Sequence, residues 1–310
     1  MRAALTTGDA RRPVEMRELP RPVPAPNQAL IRVHATSLNA GEVRRAAASV
    51  AGLQIGWDVA GVVETPAADG SSPPAGARVV ALTEATGWAE AAVATGSWIG
   101  RIPDGVTFED AATLPVAGVT ALRALGRYGN LFGRRVLVVP GTGGVGLFAV
   151  QLAHLMQAHV GAVVRDPADV KLLEKIGADE VIVGPTAEAQ SRAPYDVILE
   201  SLGGDSLGAA LACVAPDGLV VTFGQTVSPQ ATINAAKFYA TGGASLYGFY
   251  LFHEARREPV ARDLERLAAL VARKALATHV DARYEATDLE EAVAALRERR
   301  VTGKVVVTFP

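Results

Sequence analysis

Six consecutive residues, Gly141-Thr142-Gly143-Gly144-Val145-Gly146, carry the clearest chemical signal in the chain. They follow the Gly-x-Gly-x-x-Gly spacing and sit between an apolar run, RRVLVVP, and a run with apolar residues at helical spacing, LFAVQLAHLMQA. The three glycines have separate expected jobs. Gly141 permits a tight turn, Gly143 lets the backbone approach a pyrophosphate, and Gly146 permits close packing of helix on strand. The start of the helix adds unpaired N–H groups and a partial positive charge, so an anion belongs there and the turn is read as a dinucleotide site.

The nicotinamide cofactor is chosen at the end of the next strand, where an acidic side chain would accept hydrogen bonds from a ribose 2′-hydroxyl. Here the strand ends GAVVR. Val164 stands at the position of that acid and Arg165 follows it, which suits a 2′-phosphate and favours NADPH over NADH. A one-residue shift would instead make Asp166 the acid and leave Arg165 as a solvated charge. Lys171 is a candidate second phosphate contact, or a lysine on a helix surface.

The elements that must position these residues alternate as strand, turn, helix, strand. After HVGAVVR come Lys171–Ile176 as helix, Glu180–Val183 and Tyr195–Glu200 as strands, Ser206–Cys213 as helix and Gly218–Phe223 as strand. That order predicts a doubly wound parallel sheet of the Rossmann type in an α/β protein. The N-terminal region reads differently. ALIRVH alternates like a strand after the proline-rich PRPVPAPNQ, and further apolar runs at Val59–Val63 and Ala77–Leu82 flank the turn-forming AADGSSPPAG. A small β-barrel is expected there. FEDAATLPVAGVTALRALGRYG has helical spacing interrupted at Pro115 and Gly118 and marks the crossing between domains. Pro259–Leu276 and Leu289–Arg299 read as amphipathic helices, and GKVVVTF ends the chain as a strand expected to return to the first domain. The expected division is 1–117 with 246–310, and 118–245.

Composition agrees with a folded globular protein. The chain has 310 residues, 49% hydrophobic and 20% charged, long enough for two domains of about 100–200 residues. Lysine plus arginine number 30 against 32 acids, a net charge of −2 that creates no field for nucleic acid or an anionic membrane. With no apolar leader and no uninterrupted run of about 20 apolar residues, a cytoplasmic protein is expected. Cys213 is the only cysteine; it rules out an internal disulfide and a thiolate-rich zinc site, and its apolar surroundings suit a buried thiol.

These residues, taken with GWDVAGVV, RIPDGVTFEDAATLPVAGVTALRAL and the terminal GKVVV, resemble the zeta-crystallin-like quinone oxidoreductases, the zinc-independent branch of the medium-chain dehydrogenase/reductase superfamily, over nearly the whole chain. The resemblance implies a GroES-like β-barrel catalytic domain, a Rossmann cofactor domain and a homodimer or tetramer. Alcohol dehydrogenases of the superfamily carry a GHExxG segment where this chain has Gly56-Trp57-Asp58-Val59-Ala60-Gly61. Tryptophan in place of histidine removes a zinc ligand, and no cysteine lies near the N-terminus to complete the usual set. The resemblance also implies that Asn39 lies near the nicotinamide, with Glu42 where relatives have aspartate; both are taken as candidate catalytic residues. A loop asparagine that caps local backbone, and a solvated or structural carboxylate, are the alternatives. Thr120, Gly224 and Lys304 fall in segments that line the cofactor in relatives. The tyrosine that often follows the Asn-x-x-acid segment is missing, and the stretch from Glu42 to Gly56 is short.

Aromatic residues concentrate in ASLYGFYLFHE. Tyr247 and Phe249 are candidates to stack a flat substrate, against an ordinary core or subunit contact. The resulting expectation is an NADPH-dependent reductase of a quinone or an activated C=C bond, acting on a small conjugated carbonyl compound without zinc. Zinc-free carbonyl reduction, and a cofactor-binding protein without turnover, are the competing readings.

Overall fold

The computed structural model describes all 310 residues. The chain divides into two compact units, Met1–Val119 with Leu251–Pro310, and Thr120–Tyr250. No helix is long and apolar enough to cross a membrane.

The first unit is built on a seven-stranded, mainly antiparallel sheet. Its strands run in the order Val280–Glu285, Lys304–Thr308, Gln28–Leu38, Asp58–Thr65, Arg78–Leu82, Ile99–Arg101, with Ala91–Thr95 pairing with Gln28–Leu38 as well. Gln28–Leu38 organises the unit. It extends four residues beyond the run read from sequence, is buried along almost its whole length, and shifts register against Asp58–Thr65 between Leu30 and Ile31 and again between Val33 and Ala35. Such irregularities bend a strand and let one strand serve several neighbours. The C-terminal strand Lys304–Thr308 lies antiparallel beside it, pairing Val305 with Leu38. The C-terminus therefore packs into the N-terminal sheet. Val280–Glu285, not anticipated from the sequence, lies parallel to that strand as an edge and alternates half-buried with exposed residues.

The second unit carries a six-stranded parallel sheet ordered Glu180–Val183, His159–Val164, Arg135–Val139, Tyr195–Glu200, Val214–Thr222, Ser245–Gly248. The three central strands, HVGAVV, RVLVV and YDVILE, are near-continuous apolar runs because helices cover both faces of such a sheet. Each fully buried valine, leucine or isoleucine there contributes about 1.5–3 kcal/mol by leaving water. Cys213 packs in this core, 1% exposed. Burial alone pushes its thiol up to about 11.

Unit boundaries fall a few residues later than expected. Ser245–Gly248 belongs to the parallel sheet because it pairs with Val214–Thr222, Leu246 beside Val220, so the crossing back comes at Leu251 and not at residue 246. The first crossing shifts in the same sense, from 118 to Thr120. Pro115 and Gly118 do interrupt the helical run, as a wide turn at Leu114–Gly118 between the helices Phe108–Ala112 and Val119–Gly126.

Candidate active site

In the first unit the chemistry-bearing side chains turn inward and meet one another. Asn39 ends strand Gln28–Leu38 and precedes helix Ala40–Ala48. Glu42 lies in the first turn of that helix, Asp58 begins strand Asp58–Thr65, and Lys304 begins the last strand. The carboxylates of Glu42 and Asp58 are wholly buried, Lys304 is 2% exposed and Asn39 9%. Lys304 Nζ donates to Asn39 Oδ1 at 2.6 Å and to the Leu38 carbonyl at 3.2 Å, and stands 3.5 Å from Asp58 Oδ2. Asn39 Nδ2 donates to Asp58 Oδ2 at 2.8 Å and to Glu42 Oε1 at 3.0 Å.

Backbone donors complete the set. Glu42 accepts from the N–H of Asn39 at 2.7 Å and of Trp57 at 2.8 Å, and Asp58 Oδ1 accepts from the N–H of Val116 at 2.8 Å, in the wide turn. Burial drives all three ionisable groups toward neutrality. It pushes the Glu42 carboxyl up to about 8, with the neighbouring Asp58 adding to the rise. It raises Asp58 against the pull of Lys304, and lowers Lys304 against the pull of both acids. Each acid nonetheless faces only N–H donors, so the cage is complementary to carboxylates. Its geometry ties three distant parts of the sequence together, as a buried, mutually satisfied polar cluster does.

This arrangement bears on three sequence expectations. Asn39 has both amide protons on buried carboxylates, so it has none left for a substrate carbonyl or a cofactor amide. Glu42 is not solvated and sits as a structural carboxylate, accepting from Asn39 and Trp57. Lys304 points into the cluster, its ammonium directed at Leu38, Asn39 and Asp58. Asp58, quoted in the sequence motif but given no role, is the residue that joins the other three to Val116. A charged residue inside the otherwise apolar strand DVAGVV is the sign by which it could have been found.

The second unit presents a different kind of surface. Gly141–Gly146 joins strand Arg135–Val139 to helix Gly144–Leu155. Gly141 and Gly146 are buried, while Thr142, Gly143, Gly144 and Val145 are half-buried. A Cβ at Gly146 would lie 2.1 Å from the Pro140 carbonyl oxygen, so only glycine lets the helix start so close to the loop. A Cβ at Gly141 would meet Ala162 and Leu173 at 2.9 Å. Its φ is not positive, so close packing, and not a left-handed turn, requires the glycine. A Cβ at Gly143 would meet nothing nearer than Pro140 Cγ at 3.5 Å. Gly143 is also the residue before the helix and offers no capping side chain, so the first amides of the helix are left for a ligand. This cradle fits a pyrophosphate.

Other candidates collect on the same edge of the sheet. Arg165, exposed, follows strand His159–Val164. Asp166, the alternative ribose acid, uses its carboxylate to cap the next turn, accepting from Ala168 N–H at 2.9 Å. Gly224 follows strand Val214–Thr222 and packs against Ser201. This is the carboxyl edge of a parallel sheet, and the order of the strands reverses beside Arg135–Val139, where such sheets bind ligands. Lys171 is exposed on helix Val170–Lys175, and Thr120 is buried in helix Val119–Gly126. Of the proposed stacking residues, Tyr247 is half-buried under the Arg127 guanidinium, 4.6 Å from its ring centre, and Phe249 is a buried residue.

No three histidine, cysteine, aspartate or glutamate side chains gather to hold a metal ion. Of the two buried carboxylates, Asp58 lies 3.5 Å from the Lys304 ammonium.

Residues 176–307 match the family model described as zinc-binding dehydrogenase. The chain is 30% identical to a chloroplast envelope quinone oxidoreductase homologue of Arabidopsis thaliana, the match covering 94% of this chain and 92% of the relative. It is 28% identical to a quinone oxidoreductase of Pseudomonas aeruginosa over 95% of both chains. Among solved structures, a mycobacterial protein in complex with NADPH superposes with a TM-score of 0.88 at 26% identity, covering both chains in full.

Proposed function

The chain belongs to the quinone oxidoreductase family of the medium-chain dehydrogenase/reductase superfamily, and from that premise we propose that it is an NADPH-dependent reductase of quinones or enone-like C=C bonds that works without zinc. The observation that carries this reading is the Gly141–Gly146 turn, packed at its two ends and open between them at a helix start. The proposal gives Thr142 to Val145 the pyrophosphate, Arg165 the 2′-phosphate and Lys171 a supporting charge. When bound, NADPH supplies a hydride to the electrophilic carbon, and a proton from solvent completes the two-electron reduction. The chain's own part is to fix the cofactor by backbone amides and to hold the substrate, while the Asn39–Glu42–Asp58–Lys304 cluster keeps the first unit rigid. That cluster positions and does not touch the reacting atoms.

The proposal includes a homodimer. Strand Ser245–Gly248 ends its sheet with one neighbour only and exposes Leu246, while helix Ala235–Thr241, packed on the neighbouring strand Val214–Thr222, exposes Tyr239 at 86%. An open edge flanked by apolar side chains suits antiparallel pairing with a second copy about a two-fold axis.

The test combines cofactor loss with product analysis. Pure protein, NADPH and a panel of quinones and enones are followed by nicotinamide absorbance, and products by mass and by retention of the C=C bond. The proposal expects substrate-dependent NADPH loss and a saturated C=C bond or a hydroquinone. An alcohol with its C=C bond intact would establish the carbonyl reductase reading instead. The committed state of Asn39 favours a second alternative, a cofactor-binding protein without turnover. Saturable NADPH binding with no substrate in the panel driving oxidation would establish it.

A further inference from the structure

Within the second unit, strand Tyr195–Glu200 lies beside Arg135–Val139, with Glu200 paired to Val139. Ser201 follows, and its N–H donates to the Val139 carbonyl at 3.1 Å, which carries the register one residue further. Ser201 therefore stands next to Pro140, the residue before the glycine turn. Its own carbonyl accepts from Thr226 N–H at 3.1 Å and from Thr226 Oγ1 at 3.0 Å. The backbone of Ser201 is clamped on both sides, while the residue as a whole is half-buried. Its hydroxyl has no partner in the protein and is not enclosed, so it is open to a ligand as it stands.

The sheet sets the direction of that side chain. Leu199 pairs with Val138 and Val138 with Ala162, the residue against which Gly141 packs. Side chains alternate along a strand, so Ser201 shares the face of Leu199 and Gly141, and Glu200 takes the other. Glu200 is spent there: it is buried and accepts from the N–H groups of Leu202 and Gly203 at 2.7 and 3.0 Å. Thr222 is paired with Glu200 and turns the same way. Other hydroxyls of this edge are engaged, Thr186 with Ser206 at 2.7 Å and Ser228 with the Gln230 carbonyl at 3.0 Å. On the far flank Gly224 leaves Ser201 clear, since a Cβ there would stand 3.0 Å from Ser201 Cβ. Ser201 thus holds an unspent hydroxyl between the glycine turn on one neighbouring strand and Gly224 on the other.

We propose that Ser201 Oγ is the hydrogen-bond partner of a hydroxyl on the nicotinamide-side ribose of NADPH. This rests on the cofactor reading above and assigns the half of the cofactor that Arg165 and the glycine turn leave without a contact. Strand order gives the direction. Arg165 follows His159–Val164, the turn follows Arg135–Val139 and Ser201 follows Tyr195–Glu200. These three strands are adjacent, spaced about 4.8 Å apart. With the 2′-phosphate at the first and the pyrophosphate at the second, the next group of the dinucleotide, the nicotinamide ribose, comes to the third. The chemistry matches as well. A serine hydroxyl both donates and accepts, as a ribose hydroxyl does, whereas a phosphate offers acceptors alone. The clamped backbone holds the side chain in place before the cofactor arrives, so little order has to be imposed on binding.

The test separates the two halves of the cofactor by binding alone. Full-length wild type, Ser201→Ala and Arg165→Ala are titrated calorimetrically with NADPH and with 2′,5′-ADP, which carries the adenosine half and its 2′-phosphate but no nicotinamide ribose. Ser201→Ala is expected to weaken NADPH about 2–10-fold, as loss of one neutral hydrogen bond does, and to leave 2′,5′-ADP unchanged. Arg165→Ala is expected to weaken both. A second readout uses two NADPH analogues, each lacking one hydroxyl of the nicotinamide ribose. One of them should bind wild type and Ser201→Ala equally, because the pair it would complete is already broken. If Ser201→Ala does not fold, Ser201→Cys, similar in size and only a weak donor, takes its place with the same expectations. An unchanged NADPH affinity in the variant, an equal loss for NADPH and 2′,5′-ADP, or a loss that persists with both analogues overturns the proposal and leaves the cofactor reading standing. Failure of the wild type to bind NADPH overturns the cofactor reading itself and this assignment with it.

Discussion

The two units solve opposite problems with opposite residues. In the first, four polar or charged side chains from distant parts of the sequence are buried together, and nearly every donor and acceptor they own is used on one another. In the second, the important residues have almost no side chain, and what they leave unspent is backbone N–H at a helix start. Charge in this protein builds the frame, and its absence makes room for a ligand. The proposed cofactor contacts therefore fall on glycines, while the residues that look catalytic are spent on one another.

The contrast can be broken first from the charged side. Lys304→Met removes the cation and leaves Glu42 and Asp58 buried without it; the loss of stability is expected to be about 3–5 kcal/mol, measured by urea denaturation. The glycine turn sharpens the same contrast. Gly146→Ala places a methyl against the Pro140 carbonyl and should cost about 1–3 kcal/mol by overpacking as well as weakening NADPH binding. Gly143→Ala has room on the protein side and an ordinary φ of −68°, so stability should stay within about 0.5 kcal/mol while NADPH affinity, read by fluorescence titration, falls about tenfold or more through the methyl facing the pyrophosphate.

Arg165→Ala should act on the cofactor alone. Loss of a charge-assisted contact to the 2′-phosphate is expected to weaken NADPH about 10–100-fold and leave NADH within about twofold, compared by titration of both. The mildest effect is a pH slope. Because burial raises the Glu42 pKa to about 8 in the folded chain, the native state binds that proton more tightly than the unfolded state does. Its contribution to stability is complete at pH values below the ordinary glutamate pKa and is lost as pH rises toward 8. Glu42→Gln should flatten this part of the profile in thermal denaturation across pH 4–9, and a slope unchanged by the substitution would contradict the assignment.

Much of the fold was legible because apolar periodicity and glycine spacing are local. RRVLVVP-GTGGVG-LFAVQLAHLMQA read as strand, turn and helix, and the continuous valine runs identified a parallel sheet. Edges and ends were less legible. Val280–Glu285 reads VDARYE, with charged residues at every second position, which resembles a solvated loop until its half-buried alternation is paired with Lys304–Thr308. Asn39, Glu42 and Lys304 were picked out as chemistry-bearing, but sequence cannot say whether a polar side chain faces a ligand or another polar side chain. Asn39, Glu42 and Asp58 meet through the pairing of the first long strand with Asp58–Thr65, and Lys304 joins them only because the last strand returns to that sheet. Ser201 carries no signal in the sequence, and its place beside the glycine turn exists only in the pairing of Tyr195–Glu200 with Arg135–Val139.

The most direct test of the central claim is turnover after metal removal. Protein dialysed against a chelator is given a quinone with NADPH or NADH, with and without added zinc, and nicotinamide absorbance is followed. The account predicts substrate-dependent oxidation that is faster with NADPH and indifferent to zinc. Oxidation that appears only when zinc is restored, or failure of the pure protein to bind either nicotinamide cofactor, would contradict it.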